Sequence, residues 1–400
     1  MSTSARAAFA TVVTVAAMVT AACGTAVDGV PVARESKADL ATLEFGKFSP
    51  EPSNFAWDED DSFVLGWIES QRLLSNLVLP TDIDPDLVHN GTTKIIDYAG
   101  AVKFDIFPPE SENAAAAALE KHNVLAGAYS ARSNGERRSL KQISVMALLF
   151  PTPAAAGQAT ADLDAIFRPT RETVVIPKFP AARALAKGAD ATGTISFYPH
   201  GRFVVMVLAG TQRPDRAAQV ALVEQVTAKQ VALLDAFRPT PRDDILDIPA
   251  DRDSMMRRAA APENTGSLLK HQAGVYDTNG ELHFEYNPAV SKQVFGDTGV
   301  DLVARRDGIV YRARDPQAAV RLQSALAKPD TDAGEEPLPA PEGLPDAQCV
   351  GGRNVNESAR IATVMCFLSH NRYVAVVGDR NEELAHQRAA AQYAILVKNG

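Results

Sequence analysis

The amino-acid sequence predicts an α+β protein made of two pseudo-repeated domains, each a small, mainly antiparallel sheet with packed helices, behind an N-terminal signal and lipid tether. Two repeated patterns carry this expectation. Phe197-Tyr198-Pro199-His200-Gly201-Arg202-Phe203-Val204-Val205 matches Phe367-Leu368-Ser369-His370-Asn371-Arg372-Tyr373-Val374-Ala375, each reading as strand, tight turn and apolar strand. Upstream of each, an apolar strand (Met146–Phe150 and Ile309–Tyr311) runs into Pro153-Ala154-Ala155-Ala156 and Pro316-Gln317-Ala318-Ala319. Proline at a helix start is favoured because its missing N–H has no partner there to lose. Short strands mixed with helices belong to the α+β class.

The elements follow in order. Apolar spacing predicts helices over Phe63–Leu79, from Pro153 to Phe167, over Arg216–Phe237, from Pro316 to about Leu326, and over Glu382–Val397. Lys121-His122 with Tyr129 and Asn134-Gly135 echoes Lys270-His271 with Tyr276 and Asn279-Gly280. The repeat unit is thus read as helix, strand, helix, strand, strand, helix. The partition places a signal peptide at 1–22, a tether at 23–52, a first domain at 53–245, a linker at 246–266 and a second domain at 267–400. Prolines and charges crowd Pro239–Gly266, and Lys328–Pro345 reads as a surface loop.

The N-terminus reads as an address. Arg6 precedes an uncharged run from Ala7 to Ala22, too short to span a bilayer and ending in small residues before Cys23-Gly24-Thr25. Small residues before a cysteine resemble the bacterial lipobox, with Thr20 where an aliphatic residue is usual. Cys23 is therefore the expected acylation site, placing the chain on the outer face of the cell membrane. Several acyl chains anchor stably where one does not. The chain has three cysteines, and acylating Cys23 leaves Cys349 and Cys366 as an expected disulfide. Cys349 falls opposite Ala184 in the repeat, and Cys366 opposite Ser196. A metal role for the pair is not expected, because no further Cys or His stands at ligand spacing.

The formal charge of −9, without any Lys/Arg stripe, excludes nucleic acid as an expected partner. Removing residues 1–22 takes away Arg6 and leaves the mature chain still more acidic. Asp82, Asp84 and Asp86 alternate like calcium-loop ligands, but Leu87 stands where glycine is needed and Thr93 where a carboxylate is needed. They read as a helix stop. Asp58-Glu59-Asp60-Asp61 reads as charge at a helix N-terminus. His283 and Glu285 alternate on a presumed strand without a zincin partner. His200 and His370 occupy matching turns beside Arg202 and Arg372, and these four are the candidate ligand contacts, against the plainer reading of turn residues and arginine stems covering apolar surface. No nucleophile elbow, Walker loop or dinucleotide fingerprint occurs, so no catalytic residue and no cofactor are expected.

The chain resembles a family of uncharacterised actinobacterial cell-envelope lipoproteins of mycobacteria and nocardiae. The likeness rests on Cys23-Gly24-Thr25, Gln71-Arg72-Leu73-Leu74, Leu79-Pro80, Ile83-Asp84-Pro85, Phe150-Pro151, the His200–Val205 turn and strand, and Asp235–Pro241. It implies the same two-part architecture and no assigned activity. The expected function is non-catalytic binding of a small or lipid-like ligand, or an envelope partner, in a groove between the halves. The alternatives are an interaction scaffold and a hydrolase of envelope lipids or glycans.

Overall fold

A computed structural model describes residues 38–55, 63–103, 106–136, 139–241, 244, 247–249, 251–262, 272–331, 334–352 and 364–399. The signal segment, Cys23 and Asp58–Asp61 lie outside the described residues.

The first half runs β1 (His89–Ile95), α2 (Pro109–Lys121), β2 (Ala126–Ser133), β3 (Gln142–Leu149), α3 (Pro153–Phe167), β4 (Glu172–Val174), β5 (Arg183–Ala186), β6 (Gly193–His200), β7 (Phe203–Gly210) and α4 (Arg216–Ala236), after a leading helix α1 (Phe63–Leu74). The second half begins with α5 (Met255–Arg258), then β8 (Gly274–Asp277), α6 (Thr278–Leu282), α7 (Pro288–Thr298), β9 (Leu302–Arg305) and β10 (Ile309–Arg312). It continues with α8 (Pro316–Leu326), β11 (Glu335–Leu338), β12 (Gln348–Gly352), β13 (Val364–His370), β14 (Tyr373–Asp379) and α9 (Glu382–Lys398). Each half forms a seven-stranded antiparallel sheet, in the orders β1-β2-β3-β7-β6-β5-β4 and β8-β9-β10-β14-β13-β12-β11. Strand for strand, the second order repeats the first.

Local chemistry fixes the repeated helices. Thr152 and Asp315 accept backbone N–H bonds from Ala155 and Ala318, each just ahead of the helix-starting Pro153 or Pro316. Asp215 and Asn381 cap the last helix of each half in the same way. Each sheet is buried on both faces. In the first half α2 and α3 cover Tyr129, Met146, Leu148 and Met206, while α1 and α4 cover Val145, Ala147, Val205 and Val207 on the other face. The second half places Val303, Tyr311, Val374 and Val376 against α7 and α8, and Cys366, Ala375 and Val377 against α9.

Cys349 pairs directly with Cys366 across β12 and β13, as Ala184 pairs with Ser196 across β5 and β6. The two sulfurs are bonded. Its ends stand 17 positions apart in sequence, and closing such a loop stabilises by roughly 3 kcal/mol in the chain-entropy model.

Several expectations are corrected. Residues 38–52 were expected in the tether, but Leu43 and Phe48 are buried, and Leu40 and Phe45 pack against the second half's core. Arg388 lies over the Phe48 ring and Lys398 pairs with Glu51 at 2.5 Å. The linker at 246–266 contains Met255 and Met256, both at 0% exposure in that same core. Asp84 and Asp86 hold Lys141 at 2.6 and 3.0 Å, raising its pKa. His283 and Glu285 stand in the loop after α6, not on a strand. Tyr276 lies on β8, the counterpart of β1, so its echo of Tyr129 on β2 is out of step by one strand. Among the described residues, no helix is long and apolar enough to cross a membrane.

Candidate functional site

The strand registers align the two sheets residue by residue. Met146 pairs with both Tyr129 and Met206, and Ile309 pairs with both Arg305 and Val376. Tyr129 is thus equivalent to Arg305, and Met206 to Val376. The halves use this matched position in opposite ways.

In the first half it is apolar and borders a cavity. Beside the start of α2 and the end of α3, the sheet borders a space of about 370 Å³. Its floor is made by Phe107, Tyr129, Phe167 and Met206, all under 5% exposed, with Leu185 and Ile195. Ser144 supplies a nearly buried hydroxyl to the wall. The rim is polar, with Lys187 and Asp190 exposed. Arg171, also on the lining, lies 5.0 Å from the Phe167 ring centroid and donates to the Phe167 carbonyl at 3.1 Å. Its burial lowers its pKa, and Glu110 opposes that. The volume is that of a small-ligand pocket, and the chemistry suits an apolar body with a polar end.

In the second half the position is ionic. Arg305 pairs with Glu281, which is 0% exposed, and stacks 4.5 Å from the Phe284 ring centroid. Glu285 accepts from Tyr311 at 3.0 Å and from Ser291 at 2.7 Å. Burial, opposed by Arg305 and reinforced by the like charge of Glu285, pushes the Glu281 carboxyl up to about 8. Burial likewise pushes the Tyr276 and Tyr311 hydroxyls up.

The loop after α6 joins the halves. Its His283 Nδ1 meets Ser130 Oγ at 2.9 Å, its His283 carbonyl accepts from Thr93 at 2.8 Å, and its Phe284 carbonyl accepts from Asn90 at 3.2 Å. Arg132, 1% exposed, reaches from β2 to the carbonyls of Leu282, His283, Glu285 and Tyr286, and to Val88. Burial pushes its pKa down to about 10. Burial beside Arg132 pushes the His283 imidazole down to about 3, so it is neutral. The groove at this junction, about 350 Å³, is lined by Gln71, Arg72, Ser75, Asn76, Arg238 and Asp277 among others. This groove between the halves is mainly polar, and an apolar space lies within the first half.

The four turn residues stay within their own halves. His200 bonds Asp235 at 2.7 Å, and His370 packs edge-on against Tyr393. The residue with left-handed backbone is the next one, Gly201 (φ 54°) or Asn371 (φ 51°). The Arg202 carbonyl accepts from Phe150 N–H, and that of Arg372 from Ala313 N–H, both at 2.8 Å. Arg202 Nε also donates to the Phe150 carbonyl at 2.9 Å. These contacts fasten each turn to the end of the neighbouring strand. Reading the sequence missed Tyr129, Phe167 and Met206 as site residues, because an apolar side chain lining a cavity has the same spacing as one filling a core.

Residues 57–250 match the N-terminal domain of unknown function DUF7373, and residues 255–399 match its C-terminal domain. The chain belongs to the DUF7373 family. Its two family domains coincide with the two sheets described above. No curated protein matches this DUF7373 chain. Among solved structures it is similar to the extracellular domain of PknH from Mycobacterium tuberculosis, at 11% identity and a TM-score of 0.31. That match covers 42% of the DUF7373 chain and 97% of the other.

Proposed function

We infer that this DUF7373 protein is an extracytoplasmic lipoprotein, anchored through acylated Cys23, that holds a small lipid-like ligand in the cavity of its first half. The cavity of about 370 Å³, apolar at its floor and polar at its rim, carries this reading. An amphiphile would lie with its apolar part on Phe107, Phe167 and Met206 and its polar end toward Lys187, Asp190 and Arg171. Support for the anchor comes from Arg6, the uncharged Ala7–Ala22 run and the small residues before Cys23. The Cys349–Cys366 bond leaves Cys23 outside any intrachain pair and is of a kind that persists in oxidising compartments.

A second reading, docking of an envelope partner, is favoured by Val88, Tyr286 and Val290, which are 40%, 68% and 57% exposed. The carbonyls of Val88 and Tyr286 share Arg132, so two of the three adjoin at the junction. A hydrolase draws no support from the shifted groups, because Glu281 and His283 are not among the cavity's lining residues.

The test is a titration of the full chain with a fluorescent fatty-acid amphiphile, comparing wild type with Met206→Trp. Filling the floor with an indole is expected to weaken binding at least about tenfold, equivalent to about 1.4 kcal/mol. Equal binding by the two proteins, with far-UV and near-UV circular dichroism unchanged, would place the ligand elsewhere.

A further inference from the structure

The disulfide has a neighbour that its sequence spacing hides. His386, in the second turn of α9, brings a ring nitrogen to the bonded sulfurs, and the three donor atoms all lie within 4.8 Å of one another. Cys349 and Cys366 are 3% and 0% exposed, so the sulfurs face the core. The His386 side chain is 20% exposed and closes the solvent side. Its Nε2 is 3.1 Å from the Pro339 carbonyl oxygen and 4.0 Å from Glu382 Oε1. The carbonyl only accepts, so Nε2 donates to it and Nδ1 is the ring nitrogen left over. Metal-bound histidines are held in this way, donating one N–H to a backbone carbonyl while the other nitrogen ligates.

We propose that Cys349, Cys366 and His386 form a redox-gated site for a soft d¹⁰ metal ion, closed as the disulfide and opened by reduction. In the closed state the Sγ atoms are bonded to each other and have no charge to offer. An external dithiol transfers two electrons and two protons to the Cys349–Cys366 bond, giving two thiols and becoming a cyclic disulfide itself. The metal ion then displaces the two thiol protons and takes two thiolates and one imidazole. Thiolate pairs select Cu(I) or Zn(II) over hard cations, and three donors with a sheltered core side suit Cu(I). The adjacent strands β12 and β13 carry the two sulfurs and α9 carries the imidazole, so the three donors converge from neighbouring elements.

The test reduces the full chain with a dithiol under argon, removes the reductant by gel filtration and titrates Cu(I) against a chromogenic chelator. One Cu(I) per chain is expected, bound at least tenfold more tightly than by His386→Ala or His386→Gln. X-ray absorption is expected to show two sulfurs and one nitrogen. The oxidised chain and Cys349→Ser are expected to lose this site. Two variants guard against a local folding effect, and a urea-unfolded reduced chain is expected to bind without any dependence on His386. Equal affinity in the reduced wild type and both His386 variants, or coordination by sulfur alone, would overturn the proposal. So would a reduced chain that binds no Cu(I), leaving the bond a structural cross-link beside a solvated histidine.

Discussion

Replacing Arg132 by Met is expected to cost the folded chain about 3–4 kcal/mol, among the largest losses for any single side chain at the junction. The guanidinium is 1% exposed and bonds five carbonyl oxygens, one at the end of α6 and three on the loop after it. Methionine keeps the apolar stem and removes every donor, leaving at least the buried Leu282 carbonyl without this partner. Each such orphan costs about 1–3 kcal/mol. The His283 carbonyl retains Thr93, which limits the damage there. Urea unfolding followed by tryptophan fluorescence and by circular dichroism measures the effect. Arg202→Met is the comparison, since its side chain makes one bond to Phe150, and a cost of about 1 kcal/mol is expected. A loss at Arg132 no larger than at Arg202 would mean that the loop is held by apolar packing alone.

The second expected result concerns pH and Glu281. Its carboxyl is held near 8 in the folded chain, against an ordinary 4.5. Between these values the folded state binds the extra proton, so its stability falls as pH rises and levels off above about 8. His283 acts in the opposite sense, with about 3 in the folded chain against 6.5 when unfolded. In that window the unfolded state binds the extra proton, and stability rises with pH. The two slopes oppose each other between 4.5 and 6.5, and from 6.5 to about 8 only that of Glu281 remains. Thermal melts are expected to show falling Tm across that upper window in the wild type and a flat Tm in Glu281→Gln. A tenfold change in proton affinity is worth about 1.4 kcal/mol, so the difference reaches several degrees. A parallel fall in both proteins would show that Glu281 stays ionised against Arg305 throughout.

Much of the fold was legible because its signals are local. Pro153 and Pro316 start helices that end at Phe167 and Leu326, as spacing predicts. The alignment of His200 with His370 carried the Cys349–Cys366 register with it. What was hidden depends on distant contacts. The short strands β4, β5, β8 and β11 have three or four residues each, too few to show a period of two. Leu43 and Phe48 stand in a segment without periodicity, and only the second half's core explains their burial. His386 lies a whole strand and turn beyond Cys366, outside any linear ligand motif. The cavity was hidden for a different reason. Nothing in Tyr129 or Met206 announces that a space is left beside them.

The most direct measurement is native mass spectrometry of the full chain, purified in mild detergent from the membrane of its own host. A bound mass beyond the Cys23 acyl chains, lost on denaturation and absent from Met206→Trp, is the expected result. Acylated protein without any such mass, or a bound mass retained in Met206→Trp, would contradict a ligand in the first half's cavity.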